Sequence, residues 1–156
     1  MAENPVRAIP TGFHAITPHI VVRGAARAAE WYTRALGADE RTRVTLPNGK
    51  IMSIELWFGD SAVMVADEFP EMGIVSPLAI GGTAVVLHLY SDNVDALWQR
   101  VVAAGAEVLH PLQEQFWGDR QGQILDPFGR KWGLAQHVRD VPPEEIARVA
   151  TEAFGA

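Results

Sequence analysis

Two histidines and a glutamate are the residues of this sequence best suited to proton transfer. His19 and His88 each lie in a run of aliphatic residues typical of a strand, and Glu55 lies in another such run. An imidazole changes charge near neutral pH, and burial moves the pKa of a carboxyl group toward the same range. The three side chains could therefore act as acids or bases, or orient a ligand. The alternative is structural, with both histidines hydrogen-bonded to backbone or water and Glu55 in solvent.

Aromatic and polar side chains on the predicted strands form a second set, suited to contact with a ligand. Tryptophans on or beside strands can stack on a flat molecule, whereas Trp31 and Trp98 lie on predicted helices and are typical of a core. The guanidinium of Arg120 could bind an anionic or carbonyl group, or form a structural pair with Asp119. The candidate ligand-binding residues are Ser53, Trp57, Tyr90, Trp117, Arg120, Gln123 and Trp132.

The plan of the chain occurs twice, with matching residues about 69 positions apart. Val21–Ala26 leads into a helix-like stretch that ends at Gly37, and Leu89–Val94 leads into one that ends at Gly105. A repeat of this length indicates one supersecondary unit used twice, with a concave surface where the copies meet. The repeat pairs Thr17 with Val86, His19 with His88, Ser53 with Gln123, and Val63 with Gly133.

Hydrophobic periodicity and turn residues predict the order βαβββ in each unit. The first unit, about 14–68, has a helix over 25–36, and the second, about 83–138, has one over 94–104. Residues 69–82, rich in proline and glycine, form the linker, and a terminal helix follows at about 142–154. We therefore predict a single α+β domain: two tandem modules forming a curved mixed β-sheet, with helices on its outer face and a trough on the other.

Composition and charge exclude several classes of protein. The net charge is −6, from 13 basic and 19 acidic residues, and the basic residues form no run, so a nucleic-acid groove is not expected. The absence of cysteine excludes disulfides, thiolate catalysis and thiolate metal sites. No apolar stretch approaches the ~18 residues of a membrane span. The N-terminal residues lack the pattern of a secretory signal, so we expect a cytoplasmic protein with no membrane partner.

Several motifs together resemble the vicinal oxygen chelate superfamily, which includes glyoxalase I, bleomycin-resistance proteins and extradiol dioxygenases. The nearest likeness is to the PhnB-like, glyoxalase-annotated branch, and it extends over about 14–146. The resemblance implies a glyoxalase-like fold and a homodimer, but one fold hosts many activities. The motifs are Val21-Val22-Arg23, Ala66-Asp67-Glu68-Phe69-Pro70, Asp95-Ala96-Leu97, Ala103-Ala104-Gly105-Ala106, Phe116-Trp117-Gly118-Asp119-Arg120, Asp126-Pro127-Phe128-Gly129 and His137-Val138.

The resemblance also implies where a metal ion would be bound. Metal enzymes of the superfamily place His, Glu or Gln on four strands, at positions that correspond here to Thr17, Val63, Val86 and Gly133. None of these is a good ligand for a divalent ion, so we predict no metal of the glyoxalase type and no other cofactor. A residual metal site that uses His14, His19, His88 or Glu55 stays open. The PhnB-like proteins usually carry His at the positions of Ser53 and Arg130, and an acid at those of Gly24 and Arg139.

Two classes of function follow. The first is a metal-free protein, similar to bleomycin-resistance proteins, that binds a small, largely apolar or aromatic molecule in the trough. The second is a lyase or isomerase of the same superfamily that uses His88, His19 or Glu55 as acid or base, with or without a divalent metal. The first is favoured by the missing ligand set and by the tryptophans predicted on the trough face.

Overall fold

The computed structural model describes residues 4–155 of the 156-residue chain, which divide into two compact units at Gly81 and Gly82. Within these residues, no helix is long and apolar enough to cross a membrane. The first unit contains β1 His19–Val22, α1 Ala25–Leu36, β2 Asp39–Thr45, β3 Ile51–Phe58, β4 Ser61–Asp67, a short 3₁₀ turn Pro70–Met72 and α2 Pro77–Ile80. The second contains β5 Val86–Tyr90, α3 Val94–Ala103, β6 Glu107–Glu114, β7 Asp119–Leu125, β8 Lys131–His137 and α4 Pro143–Phe154.

Both units have the same sheet topology, which confirms the fold predicted from the repeat. The strand orders are β1-β4-β3-β2 and β5-β8-β7-β6, so each strand has its counterpart at the same place in the other sheet. The first and last strands of each unit pair in parallel, and the other neighbours are antiparallel. The fold is therefore α+β, with two tandem modules and a mixed four-stranded sheet in each.

The strand register corrects two of the predicted pairings between the halves. His19 lies beside Met64, just as His88 lies beside Gly133, so Met64 and not Val63 is the counterpart of Gly133. Val63 instead pairs with the buried Leu56 on the opposite face of the sheet. A shift of one residue turns a side chain to the other face of a strand, so Val63 faces the core.

The register also replaces the pairing of Ser53 with Gln123. Glu55 lies beside Met64, and Gln123 lies beside Gly133, which makes Glu55 the counterpart of Gln123. The first unit thus carries a carboxylate where the second carries a neutral carboxamide.

In the first unit, one face of the sheet packs on α1. The alternating β3 residues Ile54 and Leu56 have no exposed surface, and the ring of Phe58 meets that of Tyr32 on the helix at 6.3 Å. Burial of such side chains contributes about 1.5–3 kcal/mol each to folding. The alternation of β3 therefore places Ser53, Glu55 and Trp57 on the other face, which we call the open face of the first sheet.

The second sheet packs on α3 in the same way. The ring of Trp98 lies so close over Gly122 that a Cβ there would be 2.5 Å from its Cη2 atom. Ile124 and Leu134, on the same side as Gly122, are fully buried. The opposite side, which carries Gln121 and Gln123, is the open face of the second sheet.

The chain just after β4 is anchored by one carboxylate. Glu68 accepts a hydrogen bond from Arg23 at 3.0 Å, and from the backbone N–H and the hydroxyl of the buried Ser76 at 3.0 and 2.6 Å. The bond from Arg23, followed by those from Ser76, lowers the pKa of Glu68 to about 2. The segment 69–82 that follows contains the 3₁₀ turn and α2.

Candidate ligand-binding site

The open face of the second sheet carries a row of four residues, one on each strand. The register places His88 beside Gly133, Gly133 beside Gln123, and Gln123 beside His110. Residues that are neighbours in the ladder point to the same face. His88 and His110 are exposed, and Gln123 is half-buried. The row presents two imidazoles and one carboxamide around a position that has no side chain.

A second row lies one step further along the strands. Tyr90 lies beside Ala135, and Ala135 lies beside Gln121. The ring of Tyr90 is 60% exposed and meets the ring of His88 edge-on at 4.9 Å. We call the side chains of both rows, His88, Tyr90, His110, Gln121 and Gln123, the polar face.

The position of the His88 ring depends on Gly133. A Cβ at residue 133 would be 2.5 Å from Nδ1 of His88, which is closer than real Cβ atoms approach, and 3.2 Å from Cε1. The missing side chain lets the imidazole lie across β8, with its edge against Tyr90. Glycine is therefore favoured at position 133 for a steric reason, the space taken by the His88 ring, and not because of its backbone conformation.

Three side chains of the polar face have no internal hydrogen-bond partner. Within residues 4–155, neither the imidazole of His88 nor the carboxamides of Gln121 and Gln123 bond to another protein group. Each carboxamide has two donor hydrogens and an acceptor oxygen, and an imidazole can donate or accept. These groups are free to bond to water or to a ligand.

A network of charged side chains closes one end of the polar face. The buried carboxylate of Asp119 accepts a hydrogen bond from the Tyr90 hydroxyl at 3.2 Å and lies 2.8 Å from Nδ1 of His137. The second ring nitrogen of His137 lies 2.7 Å from Asp140. Both nitrogens must carry a proton to donate to two carboxylates, so the geometry selects the imidazolium form.

The pKa values of the network agree with this geometry. The hydrogen bond to Asp140, followed by that to Asp119, raises the pKa of His137. Desolvation of the hydroxyl, together with the carboxylate of Asp119, raises the pKa of Tyr90. Tyr90 therefore keeps its proton and donates a hydrogen bond to Asp119, while its oxygen can still accept a hydrogen bond from a ligand.

The raised pKa of His137 gives the stability a pH dependence of known sign. The stabilisation is complete below the ordinary imidazole pKa of about 6.5 and is lost as the pH rises through the folded value. As the pH rises from about 6.5 through the folded pKa of His137, we expect the free energy of unfolding of the wild type to fall more than that of His137→Gln. Urea titrations at a series of pH values measure the difference. Asp140→Asn should lower the pKa of His137 in an NMR titration. A folded pKa at or below the ordinary value in the wild type would contradict the network.

On the open face of the first sheet, Glu55 is held by its neighbours. One carboxylate oxygen accepts the indole N–H of Trp57 at 2.6 Å, and the other accepts the hydroxyl of Thr42 at 3.3 Å. His19 is exposed on the same face. The hydroxyl oxygen of Ser53 is buried and has no hydrogen-bond partner within the described part of the chain. Of the predicted acid–base residues, Glu55 is hydrogen-bonded, whereas the imidazoles of His19 and His88 form no hydrogen bond to residues 4–155.

Two of the predicted ligand contacts lie on the helix side of the second sheet. Trp132 is 2% exposed, and its indole N–H donates to Asp126 at 2.9 Å. Arg120 binds Asp95 at the start of α3 through two nitrogens, at 2.8 to 3.2 Å, and does not pair with Asp119. Strand alternation turns even-numbered residues of β7 and β8 toward the helix, so neither side chain lies on the open face. Trp117 is half-buried in the loop before β7 and packs on Phe116.

The residues present do not fit the metal ion of the glyoxalase-type enzymes. In the corrected register, the four corresponding positions hold Thr17, Met64, Val86 and Gly133. A thioether and an aliphatic side chain do not bind hard divalent ions, and the imidazole of His88 fills the space above Gly133. Across residues 4–155, no group of three His, Asp or Glu side chains is placed to hold a metal.

Four residues of this site were not among the candidates from sequence: His110, Gln121, Asp119 and His137. A period of two from Gln123 passes through Gln121 to Asp119, and from Gly133 it leads to His137. That alternation places Gln121 and Asp119 on the face of Gln123, and His137 on the face of Gly133, whereas His110 on β6 is placed only by its pairing with Gln123. The contact with Asp140 could not be found this way, because it lies beyond the end of β8.

Known proteins resemble the chain over most of its length. The sequence profile of the Glyoxalase/Bleomycin resistance protein/Dioxygenase superfamily matches residues 12–134. The uncharacterized protein Mb0911c of Mycobacterium bovis is 43% identical over 135 residues, which cover 85% of this chain and 89% of that protein. The crystal structure of TioX from Micromonospora sp. ML1 is 30% identical, with a TM-score of 0.64, over 79% of this chain and 98% of that one.

A third resemblance concerns the fold alone. TnmS3, an antibiotic binding protein from Streptomyces sp. CB03234, is 24% identical, with a TM-score of 0.60. The match covers 85% of this chain and 99% of that one.

Proposed function

The chain belongs to the Glyoxalase/Bleomycin resistance protein/Dioxygenase superfamily, and we propose that it binds a small, largely apolar or aromatic molecule on the polar face of its second unit. No metal of the glyoxalase type takes part in this binding, because the four corresponding positions lack suitable ligands. The ligand carries carbonyl, hydroxyl or amide groups that match the side chains of the polar face.

The observation that carries the proposal is the set of unpaired polar groups beside aromatic rings. In the part of the chain that the structure describes, the side chains of His88, Gln121 and Gln123 have no hydrogen-bond partner, and the rings of His88 and Tyr90 meet at 4.9 Å. Ligand sites typically combine an apolar or aromatic surface with a few converging polar groups. The likeness in fold to TnmS3, an antibiotic binding protein, supports the same class of function.

The second candidate is a lyase or isomerase. It is favoured by the unpaired imidazole of His88 next to Tyr90, whose raised pKa keeps the phenol protonated. Such a pair can move a proton to or from a bound substrate. Glu55 is less suited to be the base, because both its carboxylate oxygens already accept hydrogen bonds.

Substitutions of His88 separate the two candidates. For a binding protein, His88→Ala should weaken the affinity for the ligand about tenfold, which corresponds to the loss of one hydrogen bond of about 1.4 kcal/mol. The affinity of His88→Gln should stay within about twofold of that of the wild type. For an enzyme, His88→Gln should lower turnover by about a hundredfold, because a carboxamide cannot transfer the proton.

The measurement is a titration of tryptophan fluorescence with a panel of aromatic and antibiotic-like compounds. The matched control is His14→Gln, because His14 is an exposed histidine of the N-terminal segment. Flat titrations throughout the panel would argue against binding. Equal loss in His14→Gln and His88→Ala would remove the polar face from the proposal.

A further inference from the structure

Trp57 is buried although it lies on an open face. Alternation along β3 turns its side chain away from α1, with Glu55, yet it is 6% exposed. A large side chain on such a face stays accessible unless another part of the chain covers it. The covering groups come from a bulge in β2 and from the N-terminal segment.

The bulge supplies a cation. The pairing of β2 with β3 skips Arg41, which is the extra residue between Glu40 and Thr42. A bulge redirects the side chain that it carries. The guanidinium carbon of Arg41 lies 3.9 Å from the centre of the Trp57 ring, in a cation–π contact. Its charge also faces Asp39 at 3.6 Å.

The N-terminal segment supplies the remaining cover. The ring of Phe13 meets the Trp57 ring edge-on at 5.3 Å, and a Cβ on Gly12 would be 3.1 Å from its Cη2 atom. Gly12 has a φ of +85°, in the left-handed region, within a turn closed by the bond from the Phe13 N–H to the Pro10 carbonyl at 3.0 Å. Glycine is therefore favoured here by both backbone conformation and space.

Little else attaches this segment to the unit. Within the described residues, no hydrogen bond joins positions 4–14 to another element. Val6 is 96% exposed and Ile9 is 50% exposed. Segments with so few contacts open at low free-energy cost. Phe13 therefore contacts Trp57 through its ring and, within the described residues, forms no hydrogen bond to another element.

We propose that Phe13 is a replaceable occupant of an aromatic subsite formed by Trp57 and Arg41. A flat aromatic molecule displaces Phe13, packs against the indole and the guanidinium, and opens the strap formed by residues 10–13. The indole N–H stays bonded to Glu55, which fixes the ring as a preformed surface. The inference goes beyond the proposed function and does not depend on the polar face.

The test follows the indole N–H signal of Trp57 in proton–nitrogen correlation spectra, assigned by its loss in Trp57→Phe. The flat aromatic alcohol naphthol is titrated into the wild type and into Phe13→Ala. We expect the dissociation constant from this signal to fall about threefold or more in Phe13→Ala, because the competing aromatic pair has been removed. Phe13→Tyr, which keeps a ring, should behave as the wild type does.

Two controls connect the result to this subsite. Ile16→Ala removes an apolar side chain that follows the strap in sequence and is 85% exposed, and it should leave the affinity unchanged. His88→Ala alters the polar face and should not change the response of Trp57. Two results would overturn the inference. One is an affinity of Phe13→Ala for naphthol that is equal to or weaker than that of the wild type. The other is a gain in affinity, measured by calorimetry, that the double variant Phe13→Ala/Trp57→Phe retains.

Discussion

Replacing Gly118 with alanine is expected to lower the free energy of unfolding by about 3 kcal/mol. Gly118 has a φ of +106°, which an L side chain rarely adopts, and a Cβ there would collide with the backbone carbonyl oxygen of Arg139. A backbone oxygen cannot rotate away as the end of a side chain can. The chain just after β8 would have to move. This would disturb the hydrogen bonds that the N–H groups of Val138 and Arg139 donate to the Gly118 carbonyl at 2.9 and 3.1 Å.

The effect should extend to the charged network. The bonds to Gly118 fix the chain just before Asp140, which holds His137 at 2.7 Å. We therefore expect Gly118→Ala to lower the pKa of His137 as well as the stability. The matched control is Gly49→Ala, whose φ is +84° but whose Cβ would meet nothing within 4 Å. It should lose only about 1 kcal/mol, the cost of the backbone conformation alone. Equal losses in urea titrations would show that the contact with Arg139 carries no energy.

The repeat made the fold predictable, because it relates whole segments of the chain that lie about 69 positions apart. One βαβββ plan read twice predicts the same strand order in both sheets, and the structure has that order. The ends of the elements were less predictable. The run of Ile and Val over 14–22 is typical of a strand that begins at His14, but β1 starts at His19, because Pro18 has no N–H to give to a ladder. The sequence likewise predicts a strand near 107–111, but β6 continues to Glu114, with register shifts that accommodate Pro111.

The site was harder to predict, because the face of a strand residue changes with every step. Val63 and Met64 are both apolar, so the sequence could not decide which of them faces away from α1. The indoles of Trp57 and Trp132 look alike in sequence, yet one is covered by the N-terminal segment and the other lies in the core. Such differences arise from contacts between distant residues, which local patterns do not encode.

The charged network around His137 could not be predicted from local sequence patterns either. Tyr90, Asp119 and His137 come from three strands and meet only when the sheet forms, 29 and 18 positions apart in the two contacts. Alternation along β7 and β8 could place Asp119 and His137 on one face, but not at hydrogen-bond distance. The imidazolium form follows only from the second carboxylate, Asp140.

The two helix starts differ in a way that stability measurements can resolve. Helix α1 is preceded by Gly24, which offers no side-chain cap, and the buried N–H of Ala25 donates to the carboxylate of Asp67 at 2.7 Å. The second oxygen of Asp67 accepts the N–H of the buried Ile51 at 2.8 Å. In the second unit, Gln136 occupies the equivalent place and accepts the N–H of Val94 at 3.1 Å. The same strand-borne cap therefore serves two backbone donors in the first unit and one in the second.

We expect Asp67→Ala to lower the free energy of unfolding by about 3 kcal/mol, because it leaves two buried donors unpaired, and Gln136→Ala by about 1 kcal/mol. Helix α3 also has Asn93, whose side chain accepts the Ala96 N–H at 3.1 Å, so its start keeps one cap when Gln136 is removed. Asp67→Asn should fall between the two, since a carboxamide has one acceptor oxygen. Urea titrations of the three variants give the order. Equal losses in Asp67→Ala and Gln136→Ala would mean that the bond to Ile51 contributes nothing, and that Asp67 acts only as the cap of α1.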